Sequence, residues 1–426
     1  MHRIGSRVNP QMASPMACLA PTDPRKLFRI GLVLFDISSP DRAVAAISNP
    51  VSNCIITSLV VLNPDDSHPS NGDETNRATD PEVPLPERES ESKAWLERCN
   101  IVNGDSVALE YGSEGFQHVL DSDIHALYII VPTDQQREYV LPAIKAGKHV
   151  LLNDPESTSY DDFFEQLNDA RQNNKLVQFS TMFVHHHRVK TFLDCVLYEK
   201  FGKIETINAM LSVNYSDLHK VGVTLPLEAG QGCIRRLGRF CVLISALMLT
   251  RLGSRPVSAR VKAIEYSEAG QPVSADCAVH FTENRILNFH VSYDANSPTR
   301  QVLEVRSRDR YATMTDFVIP HPDGLATYRI YDKEMNKMTG KLEVVRGEAL
   351  DVPSGPPQDV MMWRRFCDLC RNIDSLGWQN NPATAGAREL ANVALQTKRI
   401  LSTLETCLQH GVSHKDSVPV HACSVE

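Results

Sequence analysis

The chain has 426 residues, 42% apolar and 23% charged, an ordinary globular composition with room for two hydrophobic cores. Its formal net charge of −8 and the lack of a basic stripe argue against nucleic-acid or anionic-membrane surfaces and leave small molecules or proteins as partners. Eleven irregularly spaced cysteines read as reduced core thiols, and the expected compartment is cytoplasmic.

Residues 1–27 hold Pro10, Pro15 and Pro21 and no acid before Asp23, and read as a disordered tail. Leu27 to Phe35 is a buried strand, and Asp41 to Ile47 a helical segment. In a nucleotide-binding sheet the turn between them carries G-x-G-x-x-G, because glycine lets backbone amides close on a pyrophosphate. Here Gly31 lies inside the strand, Phe35, Asp36 and Ser38 occupy the turn, and Ser38, Ser39 and the helix amides remain as phosphate donors. Ile55 to Leu62 is the second strand, with Asn63, Asp65 and Asp66 at the end where an acid normally meets a ribose. Residues 64–91 are rich in Asp, Glu, Pro, Ser and Asn and read as a disordered insertion, with helix resuming at Ala94 to Cys99.

Ala126 to Val131 is a continuous apolar run ended by Pro132, the pattern of a strand covered on both faces. A helix from Arg137 to Lys145, stopped by Gly147, leads to a second buried strand, His149 to Leu152. Asn153, Asp154 and Pro155 leave its carboxyl end, where open α/β sheets place their ligand crevice. Ser159 caps a helix through Arg171, Lys175 to Ser180 is a further strand, and the first domain, residues 28–183, closes near Phe183. His185, His186 and His187 are neighbours that do not share a helix face, with no carboxylate at i+4, so no metal is expected. Alternating segments at Val257 to Val261, Ala275 to Phe281, Ile286 to Tyr293, Val302 to Val305, Tyr311 to Phe317 and Lys341 to Val345 suffice for a sheet in a second domain, residues 184–410. Asp359 to Cys370, with the core thiols Cys367 and Cys370, and Pro382 to Leu404 are closing helices before a tail at 411–426.

Several of these stretches resemble the Gfo/Idh/MocA family of NAD(P)-dependent oxidoreductases. Ala146-Gly-Lys-His-Val150 and Pro155 are similar to its "AGKHVLCEKP" segment, and Tyr111 to Tyr128 resembles its "YGSYEELLADPDIDAVYI" run. Met182 to His187 stands where the family has "MYRFHP", and Gly230 to Phe240 resembles its "GGGALLDLGCH" segment. The resemblance implies an α/β chain: an N-terminal Rossmann-like doubly wound parallel sheet and a C-terminal α/β domain with a large, mostly antiparallel sheet. It also implies NAD or NADP as cofactor, a sugar, polyol or related carbonyl or alcohol substrate, and a homodimer. By the same resemblance the cofactor positions are Gly31, Ser38, Pro132, Thr133, Asn153 and Pro155.

The member is divergent. Asn153 and Asp154 stand where the family has its Glu and catalytic Lys, and Arg236 and Phe240 stand at its Asp and His positions. The residues left for catalysis are Asp154, Arg236 and His186, with His186 as base and Arg236 polarising the substrate oxygen. The paired sign change points either to a charge-reversed Asp154–Arg236 salt bridge or to independent drift. The alternative to an oxidoreductase is a catalytically inactive member that binds a ligand or regulates.

Overall fold

The computed structural model describes residues 27–35, 37, 41–62, 85–101, 104–132, 135–153, 159–221, 232–294, 296–320, 326–353, 355–378, 382–409 and 417–420. The first part alternates strand and helix: β1 (Phe28–Leu34), α1 (Arg42–Ile47), β2 (Cys54–Val61), α2 (Leu85–Arg98), β3 (Ala108–Tyr111) and α3 (Gly112–Asp121). It continues through β4 (Ala126–Ile130), α4 (Gln136–Lys145), β5 (His149–Leu152), α5 (Tyr160–Gln172) and β6 (Val177–Phe179). The six strands form one parallel sheet in the order β3-β2-β1-β4-β5-β6. Its central strands are apolar on both faces because helices cover both, and β4 and β5 are buried almost throughout.

The second part opens with α6 (His187–Val196), β7 (Ile204–Asn214), α7 (Cys233–Arg236) and α8 (Gly238–Arg251). There follow β8 (Pro256–Tyr266), β9 (Pro272–Phe281), β10 (Arg285–Asp294), β11 (Arg300–Ser307), β12 (Arg310–Met314), β13 (Ala326–Met335) and β14 (Leu342–Val352). The chain ends its described part with α9 (Gln358–Leu376), α10 (Ala385–Gln409) and β15 (Val418–Pro419). Nine strands pair in the order β14-β13-β12-β11-β7-β10-β9-β8-β15, antiparallel except where β7 meets β10. Along β7 the side chains of Ile207, Ala209, Leu211 and Val213 enter the core under α8, whereas Asn208 and Met210 face outward, the alternation of a sheet covered on one side.

The architecture is the expected one, with four corrections in detail. Residues 85–91 of the expected insertion are the first two turns of α2, supported by a Lys93–Glu89 pair at 2.7 Å and by burial of Ser92, Trp95 and Leu96. The low apolar content of 85–91 conceals this helix because it is anchored by residues further along. Within the expected tail, Val418 pairs with Ala259 and Val420 is buried, so 418–420 finish the edge of the large sheet. Strand β13 is an addition to the expected sheet: Ala326 and Tyr328 alternate with exposed Thr327 and Arg329 only at its start, and the polar second half, Asp332 to Met335, hides the rest of the strand. Finally, α9 lies within the stretch assigned to the second domain, yet its apolar face joins the core of the parallel sheet.

That last contact closes the fold. Trp363, Phe366, Cys367, Cys370 and Ile373 pack with Phe28, Ile30 and Tyr128. The Trp363 indole Nε1 donates to the Ala43 carbonyl at 2.6 Å and the ring stands edge-on to Tyr128 at 5.3 Å. The longer α10 bridges the two sheets: Ala391 and Leu395 join α5 in one core, and Val393, Ile400 and Leu404 join α8 in the other. Trp363→Ala is expected to destabilise the protein by about 3–5 kcal/mol in urea unfolding, and Trp363→Phe by about 1–2 kcal/mol. A loss under about 1 kcal/mol for the alanine variant would show that α9 docking contributes little to stability.

Candidate functional site

Three adjacent parallel strands deliver their carboxyl ends to one edge. At that edge the Tyr128 hydroxyl donates to Asn153 Oδ1 at 2.8 Å, and Ser180 Oγ donates to the Asn153 backbone carbonyl at 2.9 Å. Burial pushes the Tyr128 phenol well above its usual value, so it remains a proton donor at any physiological pH. Asn153 is therefore held by β4 and β6 together, and its amide carbonyl is already engaged. Pro132 lies exposed at the end of β4.

Gly31 sits elsewhere. A Cβ there would approach Leu127 Cδ2 to 2.9 Å and Ile124 Cδ1 to 3.0 Å, so its missing side chain serves packing in the middle of β1 and not the approach of a ligand. Ser38, Thr133, Asp154 and Pro155 lie outside the described residues.

The start of α1 has its own acid chemistry. Asp41 caps the helix, its Oδ1 accepting from Val44 N at 2.8 Å. Burial raises its pKa to about 6, with Asp359 adding to the effect. Arg42 Nε donates to Asp359 Oδ2 at 2.8 Å, and the Asp359 carboxyl is also pushed up by burial while Arg42 pulls it back. Two half-buried or buried carboxyls thus flank the place where a Rossmann sheet presents helix amides to a pyrophosphate.

His186 caps α6, with Nδ1 accepting from Arg188 N at 3.1 Å. Burial, helped by Arg188 and His187, lowers its pKa to about 4. The ring is neutral at pH 7 and carries its proton on Nε2. This geometry does not suit the base expected from the sequence, because the nitrogen that lacks a proton is already occupied.

Arg236, the last residue of α7, is 8% exposed, and its Nε has no hydrogen-bond partner among the described residues. One turn on, Phe240 stands edge-on to Phe183 at 5.5 Å with the Arg239 guanidinium 4.6 Å over its ring. The glycines that set this register are contact points between helix and sheet. A Cβ on Gly232 would meet Pro272 at 2.7 Å, and one on Gly238 would meet Phe289 at 3.2 Å.

Sequence reasoning missed a polar cleft of about 800 Å³ between the first turn of α1 and the 315–320 segment, lined by Arg42, Asp217, Lys220, Gln301 and Asp316 among others. Arg188 secures its floor. The guanidinium, 1% exposed, donates from Nε to the Asp316 carbonyl at 2.7 Å, lies 3.3 Å from Asp316 Oδ2, and reaches Gln358 Oε1 on α9 at 3.4 Å. Burial lowers its pKa to about 10, which still leaves it charged. Gln301 Oε1 accepts from the amides of Val318 and Ile319, both at 3.0 Å, which fixes the loop. The adjacent histidine triplet was the available signal for Arg188. Its partners lie 128 and 170 residues away, and no local pattern names them.

A six-stranded parallel sheet with this strand order, joined to a large mostly antiparallel sheet, is the fold of the two-domain dinucleotide-dependent oxidoreductases. Residues 89–181 match the family model described as an oxidoreductase family with an NAD-binding Rossmann fold, the Gfo/Idh/MocA model. It is 27% identical over 125 residues to dTDP-3,4-didehydro-2,6-dideoxy-alpha-D-glucose 3-reductase of Saccharopolyspora spinosa, covering 29% of this chain and 37% of that protein. To the enzyme of that name from Actinomadura kijaniata it is 24% identical over 137 residues, covering 32% and 41%. The match thus spans only about two-fifths of these relatives' length.

Similar solved structures include a 3-ketoreductase from Actinomadura kijaniata in complex with TDP-benzene and NADP, with TM-score 0.61, 16% identity and coverage of 89% of this chain and 97% of that one. An oxidoreductase from Pseudomonas syringae gives TM-score 0.65 at 11% identity, covering 93% and 100%. These likenesses establish the fold.

Against this fold, the residues present fit a dinucleotide with a charge penalty at one end. The Asn153 and Ser180 polar groups suit the carboxamide and ribose end, whereas a pyrophosphate at α1 meets Asp41 as an anion above about pH 6. The folded pKa of Asp41 lies above its unfolded value near 4, so the folded state binds this proton more tightly. Its stabilising effect is complete at low pH and is lost as pH rises through about 6. Asp41→Asn keeps the cap. Relative to the parent, the variant is expected to gain on the order of 1–3 kcal/mol between pH 4 and pH 8. Denaturation curves at the two pH values check this, and parallel pH profiles for the two proteins would remove Asp41 as a buried acid.

Proposed function

We propose that the chain binds NAD or NADP along the carboxyl edge of the parallel sheet and acts on a sugar, polyol or related carbonyl or alcohol compound. Sugar nucleotides are the first substrate class to test, because the curated relatives are named as reductases of a dTDP-linked sugar. The observation that carries the reading is the Tyr128–Asn153–Ser180 network at the ends of β4, β5 and β6. A nicotinamide held there would supply or accept the hydride. Neutral His186 offers an Nε2 proton as a hydrogen-bond donor, and Arg236 offers a fixed positive charge, a combination suited to polarising a carbonyl oxygen and stabilising an alkoxide. The reading extends to a cytoplasmic homodimer.

A second reading, a non-catalytic ligand-binding or regulatory member, is favoured by the same chain's Asp154, Arg236 and Phe240 at the family's Lys, Asp and His positions. The carboxyls of Asp41 and Asp359 beside α1 support it as well.

The two readings separate on one experiment. NADH and NADPH are added to the full chain at pH 5.5 and 7.5, with nicotinamide fluorescence and thermal unfolding followed. A ligand at about 100 times its Kd stabilises by about 2.7 kcal/mol, and binding is expected to tighten at the lower pH as Asp41 takes up its proton. No response to either cofactor at either pH defeats the oxidoreductase reading. Binding without turnover on a panel of sugars, polyols and dTDP-sugars selects the second.

We also propose the charge-reversed pair of Arg236 with Asp154, a residue outside the described ones; the burial of Arg236, with its Nε unpartnered among the described residues, supports it. A double-mutant cycle with Asp154→Asn and Arg236→Gln is expected to give a coupling of at least about 1 kcal/mol in stability. Additive effects would leave the two substitutions as independent changes.

A further inference from the structure

Two cations and two acids line the polar cleft beside α1, and each is committed to a partner. Arg42 lies 2.7 Å from Asp359 Oδ2, Lys220 Nζ lies 2.7 Å from Asp217 Oδ1, and Arg188 lies 3.3 Å from Asp316 Oδ2. Arg42 and Lys220 against Asp217 and Asp316 give two minus two, a formal charge of zero on the described wall. Behind the wall Arg188 and Asp359 cancel as well. Thr299 locks the Asp217 side, its hydroxyl donating to Asp217 Oδ2 at 2.7 Å and accepting from Asn214 N at 3.0 Å. A phosphate or pyrophosphate entering this space meets two carboxylates and no net positive charge to offset its desolvation.

A hydroxyl compound meets the opposite situation. The Arg42 and Lys220 side chains are 41% and 45% exposed, and an ammonium has N–H groups to spare beyond the one that faces Asp217. The exposed Thr315 and Thr327 line the same space, and the Thr327 hydroxyl, donating to Asp351 Oδ1 at 2.9 Å, keeps its acceptor pairs. A ligand hydroxyl both donates and accepts, so donors set beside carboxylate and hydroxyl oxygens suit a sugar or polyol. Ile319 and Pro320 add an apolar edge for the carbon side of such a molecule. The cleft's volume of about 800 Å³ lies in the usual range of about 300–1,000 Å³ for small-molecule sites.

We propose that this cleft receives the substrate as an uncharged polyhydroxy compound, a free sugar or polyol, and discriminates against phosphorylated and nucleotide-linked sugars. That the ligand is a substrate rests on the oxidoreductase reading, whereas its class rests on the pairing of charges in the cleft.

The test uses the full chain without NAD(P)H. D-glucose, D-mannose and D-mannitol are titrated by saturation-transfer NMR, and D-glucose 6-phosphate and dTDP-glucose are scored by their displacement of the neutral ligand's signal. At least one neutral compound is expected to saturate below ~50 mM, and each anion should displace it at least about fivefold less effectively than the neutral compound displaces itself. Asp217→Asn keeps an acceptor for Thr299 and leaves Lys220 uncompensated, so it should shift the ratio toward glucose 6-phosphate by about fivefold or more. Thr315→Val, at an exposed position, should weaken neutral binding by about threefold or more and remains informative if the Asp217 variant does not fold. The proposal is overturned if no neutral compound saturates, if either anion displaces it more effectively than it displaces itself, or if the folded variants bind as the parent does. A chain that binds a neutral compound but neither NADH nor NADPH keeps the cleft's ligand class and loses the oxidoreductase reading.

Discussion

The docking of α9 on the parallel sheet is the contact on which the rest of the molecule depends. A helix from near the end of the chain places Trp363 against Tyr128 and Ala43, and with it a row of fully buried side chains under β1 and β4. Burial on this scale outweighs any single polar contact in the region, since each large apolar side chain removed from water contributes roughly 1.5–3 kcal/mol. The same helix brings Asp359 to Arg42 and Gln358 to Arg188, so packing and the polar features of the crevice share one cause.

Burial also sets the chemistry at the strand ends. It raises Asp41 and Asp359, keeps the Tyr128 phenol protonated, and holds His186 neutral with its proton on Nε2. Arg188 remains a cation because its ordinary pKa is so high that the loss to about 10 does not discharge it. The result is an edge with neutral donors at β4 to β6 and acid groups at β1. That distribution favours an uncharged, hydrogen-bonding ligand portion at one end and makes an anionic portion dependent on pH at the other.

The substitutions at the family's reactive positions look different in three dimensions from their appearance as isolated losses. Phe240 is integrated into an aromatic contact with Phe183, and the glycines Gly232 and Gly238 are retained by the close approach of Pro272 and Phe289. Helix α8 is thus preserved for packing reasons that are independent of any catalytic role. Arg239, on the neighbouring face, covers the Phe240 ring.

The sequence by itself determined the alternating first half, the strand ends at Pro132 and Asn153, and the likeness of the segment 89–181 to an oxidoreductase family model. Those features are local: apolar runs of strand length, helical spacing and a left-handed Gly147 at φ 75° are written in neighbouring residues. It did not disclose that 85–91 is helical, that β13 joins the sheet, or that Val418 returns to Ala259. Only the Val418–Ala259 pairing depends on a distant partner; 85–91 is anchored by the buried Ser92, Trp95 and Leu96 that follow it, and β13 by the adjacent β12 and β14. Only the tertiary structure decided that Gly31 serves packing, that the Nδ1 of His186 is occupied, and that Arg188 lies on Asp316. Such roles follow from which surfaces meet, and that meeting is governed by the total apolar area buried and not by any short pattern of residues.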